Sequence, residues 1–297
     1  MTQTPPRRHQ SGQPLSPAME DYLKTIYLIT RDEDKVTTQS LAERLEVSPA
    51  SVTNMLKRLS ELQLVDYTKY KPVELTDAGR KVAMEMIRHH RLLELYLTEA
   101  LGFSWDEVHA EAELLEHFIS EKLEAKIDEA LGFPSHDPHG SPIPTLDGEI
   151  SARPSGLLSE QSAGQLVEVI QVVDTAAEML RRLEEVGIVP GVTIRVLGMP
   201  EGGSAHLRVG VTERLLEPDL CAYVRVGPVE AEWGSRLCAN DLPTGSRAVV
   251  VRVRAQLEAS GFKLGASVER DQDAFLVDGE AIPLTPTQAR WLVVELR

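Results

Sequence analysis

The first 80 residues carry three helix starts followed by an alternating segment, and this order most constrains the fold. Ser16-Pro17 and Ser48-Pro49 each combine a capping hydroxyl with a proline at the first helical position, and another helix is expected from Thr38. The segment LVDYTKYKPVELT then alternates as a β-hairpin does. A helix-turn-helix followed by a hairpin predicts a winged helix. Its expected apolar positions are Leu41, Ala42, Leu45, Val47, Val52, Leu56 and Leu59.

The third helix of this unit is the expected recognition helix, which would enter the major groove of DNA. Its exposed positions carry small hydrogen-bonding groups and the hairpin tip carries lysines, which suit base edges and phosphates. The net charge of −15 lies entirely beyond residue 80, because the first 80 residues are neutral, and this distribution favours DNA binding by one end. A winged helix used for protein contacts is the alternative. The predicted DNA contacts are Ser48, Ser51, Thr53, Asn54, Lys57, Lys69 and Lys71.

The stretch 87–117, IRHHRLLELYLTEALGFSWDEVHAEAELLEH, holds four of the eight histidines, interleaved with carboxylates. Gly102 and a capping box from Ser104 to Glu107 divide it into two helices. Side chains three, four, seven or eight residues apart share a helix face. Such groups are His90 with Glu94 on the first helix, and His109, Glu113, Glu116 and His117 on the second.

Imidazole nitrogen and carboxylate oxygen without thiolate form a ligand set for Mn²⁺, Fe²⁺ or Zn²⁺. The stretch therefore indicates a metal-ion sensor. The same spacing is also typical of the solvated face of an amphipathic helix, so the pattern alone leaves both interpretations open. The apolar faces of these helices exceed what one winged helix covers, which predicts a two-fold dimer.

The segment HDPHGSPIPTLDGEISARPSG is rich in proline, glycine and serine and marks a boundary. Its histidines, His136 and His139, are more typical of turn chemistry than of a metal site. Beyond it, EEVGIVPGVTIRV and EASGFKLGASVER align without a gap. This internal repeat predicts two tandem β-barrels.

Composition excludes several other classes of protein. There is no apolar run long enough to cross a membrane and no secretory signal, so a cytoplasmic chain with no membrane partner is expected. Cys221 and Cys238, without a CxxC motif, argue against a structural zinc site and a disulfide framework. The predicted divisions are a disordered tail at 1–15, a winged helix at 16–79, a helical dimerisation and metal-binding domain at 80–145, a linker at 146–163, and barrels at 164–228 and 229–297.

This order of parts resembles the diphtheria-toxin-repressor family of metal-dependent regulators, which has iron-type and manganese-type members. The resemblance runs from Ser16 to Gly227. It is carried by MEDYLKTIY, LAERLEVSPASVTNMLKRL, HRLLE, VHAEAELLEH and PHGSPIP. It implies a mainly α N-terminal half, consisting of a winged helix and a dimerisation domain, followed by SH3-like barrels of the FeoA type.

The resemblance also implies two metal sites per subunit. Asp21, Glu113, Glu116 and His117 would form the primary site. The second site would use His90, Glu94 and His109, with Asp174, or less favourably Gln171, from the first barrel.

Two positions bear on the type of ion. Asp21 and Glu113 stand where iron-type members have Met and Cys, so these carboxylates resemble the manganese-type pattern. Lys24 stands where some manganese-type members have a ligand glutamate, which favours two separate sites over a coupled pair.

The expected function is a non-enzymatic, metal-activated regulator that binds palindromic promoter DNA as a homodimer and represses metal-uptake genes. Mn²⁺ is the expected ion, with Fe²⁺ as the alternative, and two ions per subunit are expected. The rival hypotheses are a winged-helix regulator of an organic ligand and a carboxylate-histidine metallohydrolase. The second barrel has no assigned role.

Overall fold

The protein is described by a computed structural model in which the chain forms two compact units. One unit comprises residues 1–93, 111–135 and 143–151, and the other comprises 94–110, 136–142 and 152–297. The residues that the structure describes are 15–32, 35–69, 71–151, 153–173, 176–200, 202–229, 236–253, 255–258, 260–272, 274–277, 279–285, 288–289 and 292–296. The predicted tail at 1–15 lies outside the described residues, except for Leu15.

The first unit begins with the predicted winged helix. Ser48 caps the third helix by accepting a hydrogen bond from the backbone of Ser51. Leu23 and Ile26 of the first helix pack with Leu56 of the third helix in one buried core. A short antiparallel strand pair forms the wing. The elements are α1 (Pro17–Asp32), α2 (Thr38–Arg44), α3 (Pro49–Glu61), β1 (Val65–Asp66) and β2 (Glu74–Leu75).

Three further helical elements follow, and the predicted break at Gly102 separates the first from the second. These are α4 (Asp77–Tyr96), which continues as a π-helical turn to Leu101, α5 (Val108–Leu115) and α6 (Glu121–Ala130). Gly102 ends the π-helical turn with a left-handed φ of 78°. The box at Ser104 is only partly formed, because its hydroxyl donates to Glu107 and the helix begins later, at Val108. Ser120 caps α6.

The second unit contains an antiparallel six-stranded sheet and two helices. Its elements are β3 (Gly156–Leu157), β4 (Leu166–Val172), α7 (Ala177–Glu185), β5 (Thr193–Gly198), β6 (Ala205–Val209), β7 (Thr212–Leu216), α8 (Pro218–Cys221) and β8 (Val224–Pro228). The strand order in the sheet is β3-β8-β4-β5-β6-β7. The strand β3 lies in the stretch that was predicted to be a linker. It was not predicted because two residues are too few to give a recognisable alternation.

A second antiparallel six-stranded sheet repeats this topology. Its elements are β9 (Arg236–Cys238), β10 (Arg247–Arg252), α9 (Ala255–Glu258), β11 (Ser267–Asp271), β12 (Ala274–Val277), β13 (Glu280–Pro283) and β14 (Val293–Leu296). The strand order, read from the edge strand β9, is β9-β14-β10-β11-β12-β13, which matches the first sheet strand for strand. The predicted tandem pair of β-rich domains is therefore confirmed.

Side chains of both sheets share one buried apolar cluster. Ile194 and Val196 belong to it from the first sheet, and Leu237 and Val294 belong to it from the second. Within the described part of the chain, no helix is long and apolar enough to span a membrane.

Candidate metal centre

The first group of candidate ligands lies within the first unit, between α1 and the end of α5. Asp21 lies near the start of α1, and Glu116 and His117 lie in the turn that follows α5. Both side chains contact α1, where Glu116 accepts from Lys24 and His117 lies beside Asp21. Ligand atoms of Asp21, Glu116 and His117 lie within 4.8 Å of one another.

His117 is held by carboxylates at both ring nitrogens. Nδ1 lies 2.8 Å from Oε2 of Glu20, and Nε2 lies 3.0 Å from Oδ1 of Asp21. Burial opposes protonation, but the hydrogen bonds with Asp21 and Glu20 outweigh it and raise the pKa of His117 to about 9. A carboxylate on one nitrogen fixes the ring so that the other nitrogen can bind a metal. Glu20 has this orienting position and was not predicted from the sequence.

Glu116 is buried and accepts from two groups. Nζ of Lys24 lies 2.9 and 2.8 Å from its two carboxylate oxygens, and Nδ1 of His90 lies 2.5 Å from Oε2. Burial alone would raise the pKa of Glu116, but the hydrogen bond with His90 and the positive charges of Lys24 and His90 lower it below its usual value. Glu116 is thus a carboxylate that a cation already neutralises.

Glu113 lies at the edge of this group rather than in it. Its side chain is 57% exposed, and its Oε1 lies 4.0 Å from Nζ of Lys24. The helix spacing placed Glu113 on the same face as Glu116. The exposed position leaves room for a rotamer change, and a role for Glu113 as a ligand stays a prediction.

A buried network supports the turn that carries Glu116. Nδ1 of His89 lies 3.2 Å from the backbone oxygen of Glu116, and Nε2 lies 3.0 Å from Glu124. Arg88 donates to Glu124, to Asp128 and to the backbone oxygen of Pro144. Charge-assisted hydrogen bonds of this kind fix α4 against α6 and, through His89, fix the backbone beside the candidate ligands.

The second group of candidate ligands lies within the second unit and is centred on Glu94. Nδ1 of His109 lies 3.1 Å from Oε1 of Glu94, and Nδ1 of His139 lies 3.8 Å from Oε2. Asp137 completes a buried group of three with Glu94 and His139. His90 precedes Glu94 by one turn of α4, as predicted, while its Nδ1 contacts Glu116.

The proline-rich segment is more ordered than its composition indicates. Asp137 accepts from the backbone N–H groups of His139 and Ser141, which is turn chemistry. His139 is fully buried and stacks on Trp105, and its Nε2 lies 3.0 Å from the Trp105 carbonyl oxygen. A loop has no period from which side-chain direction can be read, so Asp137 was missed as a neighbour of Glu94.

Of the two barrel residues considered as ligands of the second group, the structure describes only Gln171. Gln171 donates through its amide nitrogen to the hydroxyl of Ser141, at 2.8 Å. Asp174 lies outside the described residues.

Most of the predicted DNA contacts are exposed on the winged helix. The hydroxyls of Ser48 and Ser51 lie 2.9 Å apart at the start of α3, and Thr53 is half-buried and donates to the backbone of Pro49. The remaining predicted contacts, all exposed, are Asn54, Lys57, Lys69 and Lys71.

The chemistry of the first group fits a divalent ion. Asp21 and Glu116 supply oxygen, His117 supplies nitrogen, and the three come close together without a thiolate. Such a donor set suits Mn²⁺, Fe²⁺ or Zn²⁺. Because Asp21 lies on α1 and the other two follow α5, one bound ion would join two separate elements.

Three family descriptions match consecutive parts of the chain. Residues 14–73 match the iron dependent repressor N-terminal DNA binding domain, and residues 76–145 match the iron dependent repressor metal binding and dimerisation domain. Residues 157–228 match the FeoA domain.

Individual relatives show the same similarity over most of their length. The iron-dependent repressor IdeR of Mycobacterium tuberculosis is 32% identical over 71% of this chain and 96% of its own. The diphtheria toxin repressor of Corynebacterium glutamicum is 30% identical, with the same coverage of both chains.

Solved structures give the same result. The manganese-dependent transcriptional repressor in complex with manganese superposes with a TM-score of 0.66 and 38% identity, covering 71% of this chain and all of that one. ScaR with bound Cd²⁺ gives a TM-score of 0.60 and 33% identity, covering 71% of this chain and 99% of that one.

Proposed function

The chain belongs to the iron-dependent repressor family, which includes the diphtheria toxin repressor, and from this membership we propose how its residues sense metal. It is a metal-dependent, DNA-binding transcriptional regulator, and its family consists of repressors rather than enzymes. We propose that the primary ion is bound by Asp21, Glu116 and His117, with Glu113 as a further ligand.

The observation that carries this proposal is the 3.0 Å approach of His117 to Asp21. Asp21 belongs to the part of the chain that matches the DNA-binding domain, and His117 belongs to the part that matches the metal-binding and dimerisation domain. When bound, the ion supplies positive charge that both carboxylates and the imidazole can share. Asp21 and His117 would then hold α1 fixed relative to α5.

Fixing α1 would favour one arrangement of the recognition helices in a homodimer. A ligand shifts a population only through its higher affinity for the favoured arrangement. To convert protein that is mostly unable to bind DNA into protein that is mostly able to do so, the ion must bind the DNA-binding arrangement about 5.5 kcal/mol more tightly than the other. Three or four metal-ligand bonds can supply this difference in binding free energy. The dimer would present two copies of α3 to a palindromic promoter, with Ser48, Ser51, Asn54 and the wing lysines as contacts.

We propose Mn²⁺ as the physiological ion and the repression of metal-uptake genes as its output. Support comes from the oxygen-rich donor set, in which Asp21 and Glu113 are carboxylates. The alternative is Fe²⁺, since several relatives are iron-dependent repressors.

We further propose a second ion at Glu94 and His109, to which Asp137 adds a carboxylate in the same unit. His90 and Asp174 complete the ligand set that the sequence resemblance implies. The carboxylate of Glu94 is fully buried, and buried carboxylates require a cation or hydrogen-bond donors.

The test is Asp21→Asn, with Glu129→Gln as a control for loss of an exposed carboxylate on the same unit. The Asn variant should bind Mn²⁺ at least tenfold more weakly and should lose metal-dependent binding to a promoter fragment, because it removes one charged ligand. Calorimetry and fluorescence anisotropy at fixed salt measure these effects, and gel filtration checks that the dimer persists.

Undiminished metal-dependent DNA binding by Asp21→Asn would exclude this role of Asp21. Wild-type DNA binding that EDTA leaves unchanged would instead support a regulator of an organic ligand.

A further inference from the structure

Lys24 occupies the position of a cation inside the candidate primary centre. Its ammonium contacts both oxygens of Glu116, at 2.9 and 2.8 Å, and lies 3.2 Å from Nδ1 of His90. Glu113 is 4.0 Å away. Lys24 is buried, although lysine is rarely buried unless it is paired.

The contacts of Lys24 are to groups that would otherwise bind a metal ion. A carboxylate that accepts hydrogen bonds from an ammonium at both oxygens donates electron density to a metal less readily. Two cations on one carboxylate also repel each other at close range. An ion that binds Glu116 must therefore share this carboxylate with Lys24 or displace it.

The helix α1 carries both Lys24 and the proposed ligand Asp21. Asp21 and Lys24 are three residues apart and lie on the same face of α1. One element thus supplies both a ligand for the ion and a rival cation for Glu116. Lys24 also attaches α1 to the turn after α5, through Glu116.

We propose that Lys24 is a built-in competitor of the regulatory ion, whose ammonium neutralises Glu116 in the metal-free protein and raises the metal concentration needed for binding. This inference rests on the proposed function, because it concerns the same centre. It differs from a purely structural ion pair, since a structural pair would leave the metal affinity unchanged or lower it when broken.

The test is Mn²⁺ binding by the full-length Lys24→Met variant, measured by calorimetry after chelator treatment. Methionine keeps most of the side-chain length without the charge. Loss of a charge-assisted interaction predicts affinity that is about tenfold or more tighter than wild type. The metal-free variant should also melt at a lower temperature, and added Mn²⁺ should raise its melting temperature by more than it raises that of wild type.

Two further variants separate competition from general effects. Lys126→Met removes an exposed lysine that pairs with Glu129, and it should leave the Mn²⁺ affinity unchanged. The effect of Lys24→Met should disappear in a Glu116→Gln background, because the shared carboxylate is then absent. If Lys24→Met does not fold, Lys24→Gln retains a hydrogen-bond donor without the charge and should also bind Mn²⁺ more tightly.

The outcomes distinguish this inference from the function on which it rests. Mn²⁺ binding by wild type with equal or weaker affinity in both Lys24 variants would overturn the inference alone. Equal tightening by Lys126→Met would also overturn it, since general electrostatics would then be the cause. An absence of metal binding by wild type would overturn the proposed function and the inference together.

Discussion

At the scale of single residues, His117 links the proposed metal site to pH. Its ring lies between Glu20 and Asp21, and the hydrogen bonds with Asp21 and Glu20 raise its pKa to about 9. At neutral pH the ring is therefore protonated, whereas a metal ligand must be neutral. The proton on His117 and the ion would compete for the same nitrogen.

This competition predicts that Mn²⁺ affinity rises with pH. Since the ring is protonated below pH 9, each ion bound near pH 7.5 should release about one proton from it, and affinity should increase up to about tenfold per pH unit between 6.5 and 8. Calorimetry in buffers of different ionisation enthalpy counts the protons. A flat pH profile would contradict this account, and His117→Gln should remove both the dependence and most of the affinity.

The raised pKa of His117 also affects the stability of the fold, which changes with pH in the direction opposite to metal affinity. The pKa of His117 is raised from 6.5 to about 9, so its protonated form stabilises the folded state. This contribution is fully present below pH 6.5 and is lost as pH rises through about 9.

The sequence indicated which residue types could bind a metal, but it did not indicate where every side chain points. Helix spacing and the family resemblance selected Asp21, Glu116 and His117, and the structure brings these three together. Glu20 was missed because it adjoins Asp21 and no spacing distinguishes an orienting carboxylate from a solvated one. The position of Lys24 over Glu116 depends on how α1 packs, which a single sequence does not specify.

At the scale of secondary-structure elements, α5, α6 and the turn between them present apolar side chains that the described part of the chain leaves exposed. Leu114 and Phe118 are 67% and 74% exposed, and Leu123 is half exposed. Exposed apolar patches of this kind mark interaction surfaces. The matched description of this region as a dimerisation domain agrees with such a surface.

We therefore predict that Leu114→Arg weakens the homodimer. A buried unpaired charge in an apolar interface is strongly unfavourable, so sedimentation should show a shift of at least tenfold in the dimer dissociation constant, with loss of DNA binding. Metal binding should persist, because all proposed primary ligands lie on one chain. Leu264→Arg, at a similarly exposed leucine in the turn before β11, is the control and should remain dimeric. A dimeric Leu114→Arg would exclude this surface.

At the scale of the whole chain, the repeat was visible in the sequence because equivalent glycine turns align, whereas the joining of the two sheets was not. Thr193 of the first sheet accepts from the backbone nitrogen of Arg236 at 2.8 Å and donates to its oxygen at 3.1 Å. Arg252 donates to the backbone of Pro190. These contacts link residues far apart in sequence, and no local pattern predicts them.

The joining of the sheets predicts that the second one stabilises the first. A chain that ends at residue 228 lacks Leu237 and Val294 of the shared apolar cluster and leaves their partners exposed to water. Each fully buried side chain of this kind contributes about 1.5 to 3 kcal/mol, so the truncated protein should melt several degrees lower and should bind an apolar dye. Thr193→Val tests the same junction without truncation, since it removes the two hydrogen bonds between Thr193 and the backbone of Arg236 and should cost about 1 to 3 kcal/mol. Because the proposed primary ligands lie in the first unit, the Mn²⁺ affinity of the primary site should be unchanged in both variants. Equal melting temperatures for the full and truncated chains would mean that the second sheet is an independent module.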